Sequence, residues 1–181
     1  MIRSKEDLDF YLAEDAKRYN VRFFDRFIFN ENYHILKYLR VLRKLEYYQN
    51  CTGGGGKSLF RLWYFWNYKR LCYKYRIKIG LNTCGPGLFL PHLGLIRVGT
   101  FAKVGAHCTI GPNVVIGTKD KFENIATIGD NVEICLGAKV IGKIHIGNNA
   151  IIAPNSVVVK DVEEGTIVSG VPAVVIGKTR C

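Results

Sequence analysis

His92 is the residue of this sequence best suited to proton transfer. It stands in Leu-Pro-His-Leu-Gly at 90–94, six positions before Val98. The repeat described below would place an inward-facing aliphatic side chain at this position. A polar ring inside an apolar core needs a reason, and an imidazole titrates near neutral pH. Proton transfer is one reading of His92, and a structural role in which its ring bonds to the backbone is the other.

Two further histidines are candidates for a metal site, and we expect neither to bind one. His107 and His145 fall at outward positions of the repeat, where solvated side chains are the rule. A zinc pair would need two close histidines, typically His-x4-His, but His107 follows His92 by 15 positions and His145 follows His107 by 38. The six cysteines form no C-x-x-C pair. We predict reduced thiols, because the sequence shows no secretory signal.

The glycine run at 53–56, followed by Lys57 and Ser58, resembles part of a phosphate-binding loop. The full pattern needs glycine at 51, where Cys51 stands, and it needs a preceding strand where this sequence predicts a helix. We predict a connector there.

A period of six residues organises the sequence from about residue 80 onward. Aliphatic residues recur at 98, 104, 110 and 116 and resume in the same phase at 128, 134, 140, 146, 152 and 158. Four positions after most of these stands a small residue: Ala102, Cys108, Val114, Val132, Ala138, Ala150 and Ser156. Gly or Asn at the intervening positions is expected to take turn conformations that other residues resist.

Such a period predicts a β-helix. Each hexapeptide forms a short strand and a turn, and three make a triangular coil of 18 residues that buries its apolar face only by stacking on other coils. The segment 118–127 lacks the pattern and is predicted to be an external loop. We predict a mainly β chain with an N-terminal α-helical region over 1–79 and the β-helix over 80–181.

The first 79 residues follow a helical pattern instead. Ser4 and Asp7 resemble a capping box that begins a helix over about 5–18. A second helix, from Tyr33 to Tyr48, carries a leucine stripe at 36, 39, 42 and 45. Basic residues lie between the leucines: Lys37, Arg40, Arg43 and Lys44. A third helix over about 58–78 is rich in aromatic residues.

Positive charge is concentrated in this helical region. Residues 1–80 hold 17 Lys and Arg against 8 Asp and Glu, whereas residues 81–181 hold 9 against 7. The third helix could pack against the β-helix or a partner subunit, or lie on an anionic membrane face. Nucleic acid is not expected, because no binding motif accompanies the aromatic and basic residues. The charged start predicts no signal peptide, and no run of 18 apolar residues occurs.

Three features together resemble the hexapeptide-repeat acyltransferases, in particular serine acetyltransferase and the capsule-type sugar O-acetyltransferases. They are Leu-Pro-His-Leu-Gly at 90–94, the loop at 118–127 and Ser-Gly-Val-Pro-Ala at 169–173 within the hexapeptide period. The resemblance covers residues 80–177 and extends more loosely to the helices. It implies a left-handed coil, a homotrimer with active sites between subunits, and acetyl transfer from acetyl-CoA to a hydroxyl. His92 matches the family's general base.

The resemblance also implies a cofactor edge. Thr118, Leu136 and Pro154 are spaced by 18 and would stack along one edge, beside Gly117. Related enzymes lay the pantetheine arm along such an edge. Lys160 matches a family position near the phosphates of coenzyme A, and Lys178 and Arg180 could act there too. No metal is implied.

Two departures from serine acetyltransferase bear on the acceptor. That family has Asp where Pro91 stands, and a second histidine in the loop where Ile125 stands. Both groups serve the amino acid acceptor, so we expect a sugar hydroxyl, free or lipid-linked, in surface polysaccharide biosynthesis. L-serine is the alternative acceptor, and a non-catalytic trimeric scaffold is the alternative of another class. The expected location is cytoplasmic, and the basic helices leave open a peripheral position on the inner face of the membrane.

Overall fold

A computed structural model describes residues 1–28, 30–51, 55–118 and 125–179. The chain begins with α1 (Lys5–Lys17), a 3-10 turn (Phe23–Arg26), α2 (Glu31–Asn50) and α3 (Gly55–Tyr75). No helix within these ranges is long and apolar enough to cross a membrane.

Local chemistry accounts for the ends and faces of the helices. Ser4 accepts from the Asp7 N–H while the Asp7 carboxylate accepts from the Ser4 N–H, so the predicted capping box is present. All four leucines of the stripe on α2 are buried. The two longer helices start and end within a few residues of the predicted positions. Helix α3 already begins at Gly55, so the prediction of a connector was wrong from that residue onward. Residues 52–54 lie outside the described ranges.

Thirteen short strands follow the helices within the described ranges. Their bounds are β1 (Ile77–Ile79), β2 (Ile96–Val98), β3 (Lys103–Val104), β4 (Thr109–Ile110), β5 (Val115–Gly117), β6 (Thr127–Ile128), β7 (Glu133–Ile134), β8 (Lys139–Ile141), β9 (His145–Ile146), β10 (Ile151–Ile152), β11 (Val157–Val158), β12 (Thr166–Gly170) and β13 (Ala173–Lys178). Strand β1 lies within the region predicted to be helical, so parallel pairing begins just before residue 80.

The strands form the three faces of a prism. Face 1 stacks β1, β2, β5, β8 and β11, face 2 stacks β3, β6 and β9, and face 3 stacks β4, β7, β10, β12 and β13. All pairs are parallel except β12 with β13. The ten in-phase aliphatics are all buried inside the prism, as are the seven small residues four positions later. The six-residue period therefore predicted the core correctly.

More residues separate β5 from β6 than the repeat requires, and β6 already begins at Thr127, inside the segment predicted to be a loop. Ile116 and Ile128 are 12 positions apart, yet they belong to neighbouring faces, where six positions are the rule. Ile110 therefore stacks on Ile134, 24 positions later, whereas Ile134 stacks on Ile152, 18 positions later. The expectation that the 18-residue spacing continues through the segment 118–127 was wrong, because Ile116 and Ile128 are six positions further apart than the repeat requires.

Glycine and asparagine serve the corners in different ways. Asn113, Asn131, Asn149 and Asn155 have φ between +56° and +61°, so they occupy the left-handed turn positions. Gly105, by contrast, is required by close stacking. A Cβ built there would lie 2.2 Å from Asp130 Oδ1 and 2.5 Å from the Gly129 carbonyl oxygen. The prediction that glycine supplies turn conformations is therefore wrong for Gly105, where the next coil approaches too closely for a side chain.

A buried ionic cluster joins the helices to the first coil. Arg43 is fully buried, so its predicted place on a basic face was wrong. Its Nε donates to Asp15 at 2.9 Å, and its guanidinium also pairs with Glu46 at 3.2 Å and donates to the carbonyls of Cys84 and Gly85. Burial alone would lower the pKa of Arg43, but Glu46 and Asp15 outweigh it and raise that pKa. The cluster fixes α1 and α2 against the β-helix.

Candidate active site

His92 lies at the corner between face 3 and face 1, in the segment that precedes β2. Its side chain is 67% exposed, so the expectation of an inward ring was wrong. The irregular first coil buries Leu88 and Leu90 in the core instead. Exposure leaves the ring accessible to a small molecule.

Glu31 holds the His92 ring from the first turn of α2. Its Oε2 lies 3.1 Å from His92 Nδ1, and its Oε1 accepts from the Leu93 N–H at 2.6 Å. Asn30 caps the helix by accepting from the Asn32 N–H. One carboxylate therefore fixes both the ring and the backbone that carries it.

This pairing determines which nitrogen can act as a base. A carboxylate only accepts hydrogen bonds, so the proton on Nδ1 points at Glu31 and Nε2 keeps its lone pair. The first turn of a helix is also where the helix dipole favours negative charge. The arrangement matches the general pattern of a base oriented by a carboxylate.

An open edge runs upward from His92 along the same corner. A Cβ built on Gly94 would lie 3.2 Å from the Pro112 Cβ, so the two residues are neighbours on this edge. The Gly137 N–H donates to the Pro112 carbonyl at 2.8 Å, and the Asn155 N–H donates to the Leu136 carbonyl at 2.9 Å. We call Gly94, Pro112, Leu136 and Pro154 the His92 edge. Leu136 is half exposed and Pro154 is exposed, so this edge presents an apolar ridge to solvent.

Thr118 lies on a different edge from Leu136 and Pro154. Gly117 ends β5, and its carbonyl accepts from the Gly142 N–H at 3.0 Å. The register of face 1 brings Thr118, Gly142 and Lys160 together at the corner between faces 1 and 2, which we call the Thr118 edge. The predicted stacking of Thr118 with Leu136 was wrong because of the lengthened coil, and Pro112 occupies that place. The five predicted cofactor residues are thus divided between two edges.

The remaining sequence candidates are placed as follows. Ile125 is buried against Gly99, and Pro91 lies between the core residue Leu90 and His92. Lys160 and Lys178 are exposed. Arg180 and residues 119–124 of the predicted loop are outside the described ranges.

The other histidines stand apart from this site. His107 and His145 are exposed, as expected from their positions in the repeat. In the part of the chain that the structure describes, no three His, Cys, Asp or Glu side chains group closely enough to hold a metal ion.

Sequence reasoning missed Glu31 and Pro112. Glu31 is 61 positions from His92, and an acidic residue in the first turn of a helix is ordinary. Pro112 could have been found by counting back from Leu136 with the six extra residues included.

Comparisons with curated proteins point to one kind of enzyme. The chain is 39% identical over 98 residues to a serine acetyltransferase of Mycobacterium tuberculosis and 38% identical over 94 residues to one of Synechococcus elongatus. These matches cover 53% and 51% of this chain but only 43% and 38% of the relatives. The chain thus spans less than half the length of these relatives. No protein-family profile matches it.

Solved structures resemble nearly the whole chain. A serine acetyltransferase of Brucella abortus superposes with a TM-score of 0.75 at 26% identity and covers 97% of this chain and 70% of its own. The same protein in complex with coenzyme A gives a TM-score of 0.74 at 26% identity, covering 97% and 68%. The soybean apoenzyme gives 0.76 at 23% identity, covering 95% and 70%, and supports the fold alone. The predicted left-handed β-helix and the resemblance to serine acetyltransferases are confirmed.

Proposed function

We propose that this chain transfers an acetyl group from acetyl-CoA to a hydroxyl group, with His92 as the general base. The observation that carries the proposal is the exposed His92 ring, held through Nδ1 by Glu31 at the lower end of an open edge. Likeness to serine acetyltransferases, one of them solved with coenzyme A, supports this reaction class.

The chemistry needs one proton acceptor. Nε2 of His92 takes the proton of the acceptor hydroxyl while the hydroxyl oxygen attacks the thioester carbonyl carbon. An ester bond forms, and the C–S bond of the thioester breaks. The imidazolium then returns the proton to the thiolate, and coenzyme A leaves as a free thiol. Glu31 stabilises the imidazolium through the Nδ1–H bond.

A homotrimer would complete the cofactor site. The His92 edge and the Thr118 edge lie at different corners, at the two ends of face 1. The distance between these corners is at most about 20 Å, because about six extended residues span one face. In a cyclic trimer each subunit contacts the next through two different patches. We propose that the Thr118 edge of one subunit faces the His92 edge of its neighbour, so that Lys160 reaches the coenzyme A phosphates.

L-serine is the first candidate acceptor, because serine acetyltransferases are the curated relatives and solved neighbours that the chain resembles. A sugar hydroxyl is the second candidate and is favoured by one observation. Pro91 and the buried Ile125 offer no polar side-chain atom that could bind the ammonium or carboxylate of an amino acid.

Release of free thiol from acetyl-CoA tests the proposal. We expect thiol release with L-serine or with an N-acetylhexosamine, and a loss of about 100-fold or more in His92→Ala. His107→Asn is the matched control, since asparagine tolerates the left-handed backbone at that exposed position. Full activity in a folded His92→Ala variant would refute the base assignment. No thiol release by the wild type with any hydroxyl acceptor would favour the scaffold alternative.

A further inference from the structure

The outward face of α3 is an apolar surface that the described fold leaves uncovered. Tyr68, Leu71 and Tyr75 point inward and are buried. The opposite side exposes Leu59 at 73%, Trp63 at 57% and Trp66 at 68%. Soluble chains seldom expose large apolar side chains in a contiguous group without a partner for them.

This apolar face continues into a strongly basic one. Trp63, Trp66, Lys69, Arg70 and Tyr73 line an open groove of about 570 Å³ together with Asn67. Over residues 59–78 the chain has six Lys or Arg and no Asp or Glu. The groove therefore carries aromatic rings and positive charge together.

A second concavity shares Lys69 and Tyr73 with the groove. Its volume is about 640 Å³, and its cations are Lys69, Arg76, Lys78 and Arg97. None of the four forms an ion pair within the described ranges, and no carboxylate lines the concavity. Four unpaired cations around one hollow create a positive potential that attracts anions.

We propose that α3 and this concavity dock the protein on an anionic phospholipid bilayer. Trp63, Trp66 and Leu62 enter the interface between headgroups and acyl chains, where indole rings are favoured. Lys69, Arg70, Arg76, Lys78 and Arg97 bind the lipid phosphates. Binding to a bilayer would use both the aromatic side chains and the cations, whereas binding of a soluble anion would use the cations alone.

The docking face lies close to the candidate active site. Leu95, which lines the concavity, is three positions after His92, and His34 of α2 bonds the Tyr75 hydroxyl at the end of α3 at 2.9 Å. Docking would therefore bring the His92 corner near the membrane surface. The binding itself requires no catalysis, so it can fail or succeed independently of acetyl transfer.

Tryptophan fluorescence of the wild-type protein can report on vesicle binding. Its two tryptophans, Trp63 and Trp66, both lie in the groove. With vesicles of phosphatidylcholine and phosphatidylglycerol at about 7:3, whose surface is negative, we expect a blue shift of tryptophan emission and cosedimentation. Pure phosphatidylcholine vesicles and millimolar glycerol phosphate should give neither. A shift with glycerol phosphate alone, or no binding to anionic vesicles, would overturn the proposal.

Charge variants test the face itself. Lys69→Glu with Arg70→Glu should weaken vesicle binding by at least about 25-fold, since each cation near such a surface contributes about fivefold. The control, Lys37→Glu with Arg40→Glu, makes the same change in net charge on the exposed side of α2 and should bind nearly as the wild type does. Equal loss in both pairs would mean that net charge alone acts, and the assignment to α3 would be wrong.

A second copy of the chain is the competing occupant. Trp63→Ser with Trp66→Ser should weaken vesicle binding by roughly tenfold or more and leave the mass by light scattering unchanged. If this variant instead has a lower mass by light scattering and the wild type does not bind anionic vesicles, the face is a contact between subunits and the proposal is refuted.

Discussion

Glu31 contributes more to the site than a surface ion pair usually does. Exposed pairs are generally weak, and here His92 is 67% and Glu31 is 41% exposed. The value of this contact lies in orientation, because the same carboxylate also accepts from the Leu93 N–H. Both the direction of the ring and its tautomer follow from one residue on α2.

Glu31→Gln should therefore lower the rate rather than the affinity for acetyl-CoA. Glutamine keeps an oxygen that can accept one N–H, but it cannot stabilise an imidazolium with a charge. We expect kcat to fall by about 10- to 100-fold with KM for acetyl-CoA unchanged, measured by thiol release. Glu14→Gln is the control, because Glu14 on α1 pairs with Lys17 rather than with His92, and it should leave both constants unchanged. A normal kcat in Glu31→Gln would exclude the positioning role.

At the scale of the coil, close backbone contacts determine which corners need glycine. Gly105 has no room for a Cβ because Gly129 and Asp130 of the next coil lie against it. The Ala106 N–H donates to Asp130 Oδ1 and the Asp130 N–H donates to Asn148, so these contacts are chained from coil to coil. A methyl group at Gly105 would separate two coils.

Gly105→Ala should lower the free energy of unfolding by about 1–3 kcal/mol. Gly177→Ala is the control, because a Cβ there would lie 3.9 Å from the nearest side-chain atom. Urea unfolding followed by circular dichroism would measure both. Equal stability of the two variants would show that the neighbouring coils move apart at Gly105 and accommodate the methyl group at little cost in free energy.

The period of six was sufficient to predict the β-helix, its ten inward aliphatics and the corner that carries Leu136 and Pro154. It could not locate His92 correctly, because the first coil is irregular and Leu90 takes the buried place. The role of Glu31 could not be predicted from the sequence for a different reason. Its contact with His92 depends on how α2 packs on the prism, which the buried Arg43 cluster sets over long sequence separations.

At the scale of the whole molecule, the trimer that we propose would join two separate parts of the candidate site. His92 and Lys160 lie at different corners of the prism. Lys139 is a cation beside the His92 edge, but its Nζ donates to the carbonyls of Asn113 and Gly137 at 2.6 and 2.7 Å, whereas Lys160 is exposed at the Thr118 corner. Only an assembly of subunits would bring the two edges together.

Mixed trimers test this arrangement. Lys160→Glu and His92→Ala should each be poorly active at low acetyl-CoA. Coexpression of the two with different tags should restore about a quarter of the sites, because some interfaces then join an intact His92 edge to an intact Thr118 edge. If both residues act within one subunit, mixing restores nothing, and the activity equals the sum of the separate variants.

The lengthened coil has a further consequence for how such proteins diverge. Strands β5 and β6 stay in register with the coils beside them although 12 positions, not six, separate Ile116 from Ile128. Additional sequence at that corner is tolerated without disturbing the stacking. We therefore expect homologues to differ in the length and sequence of the segment at this corner while they keep the same stacked strands.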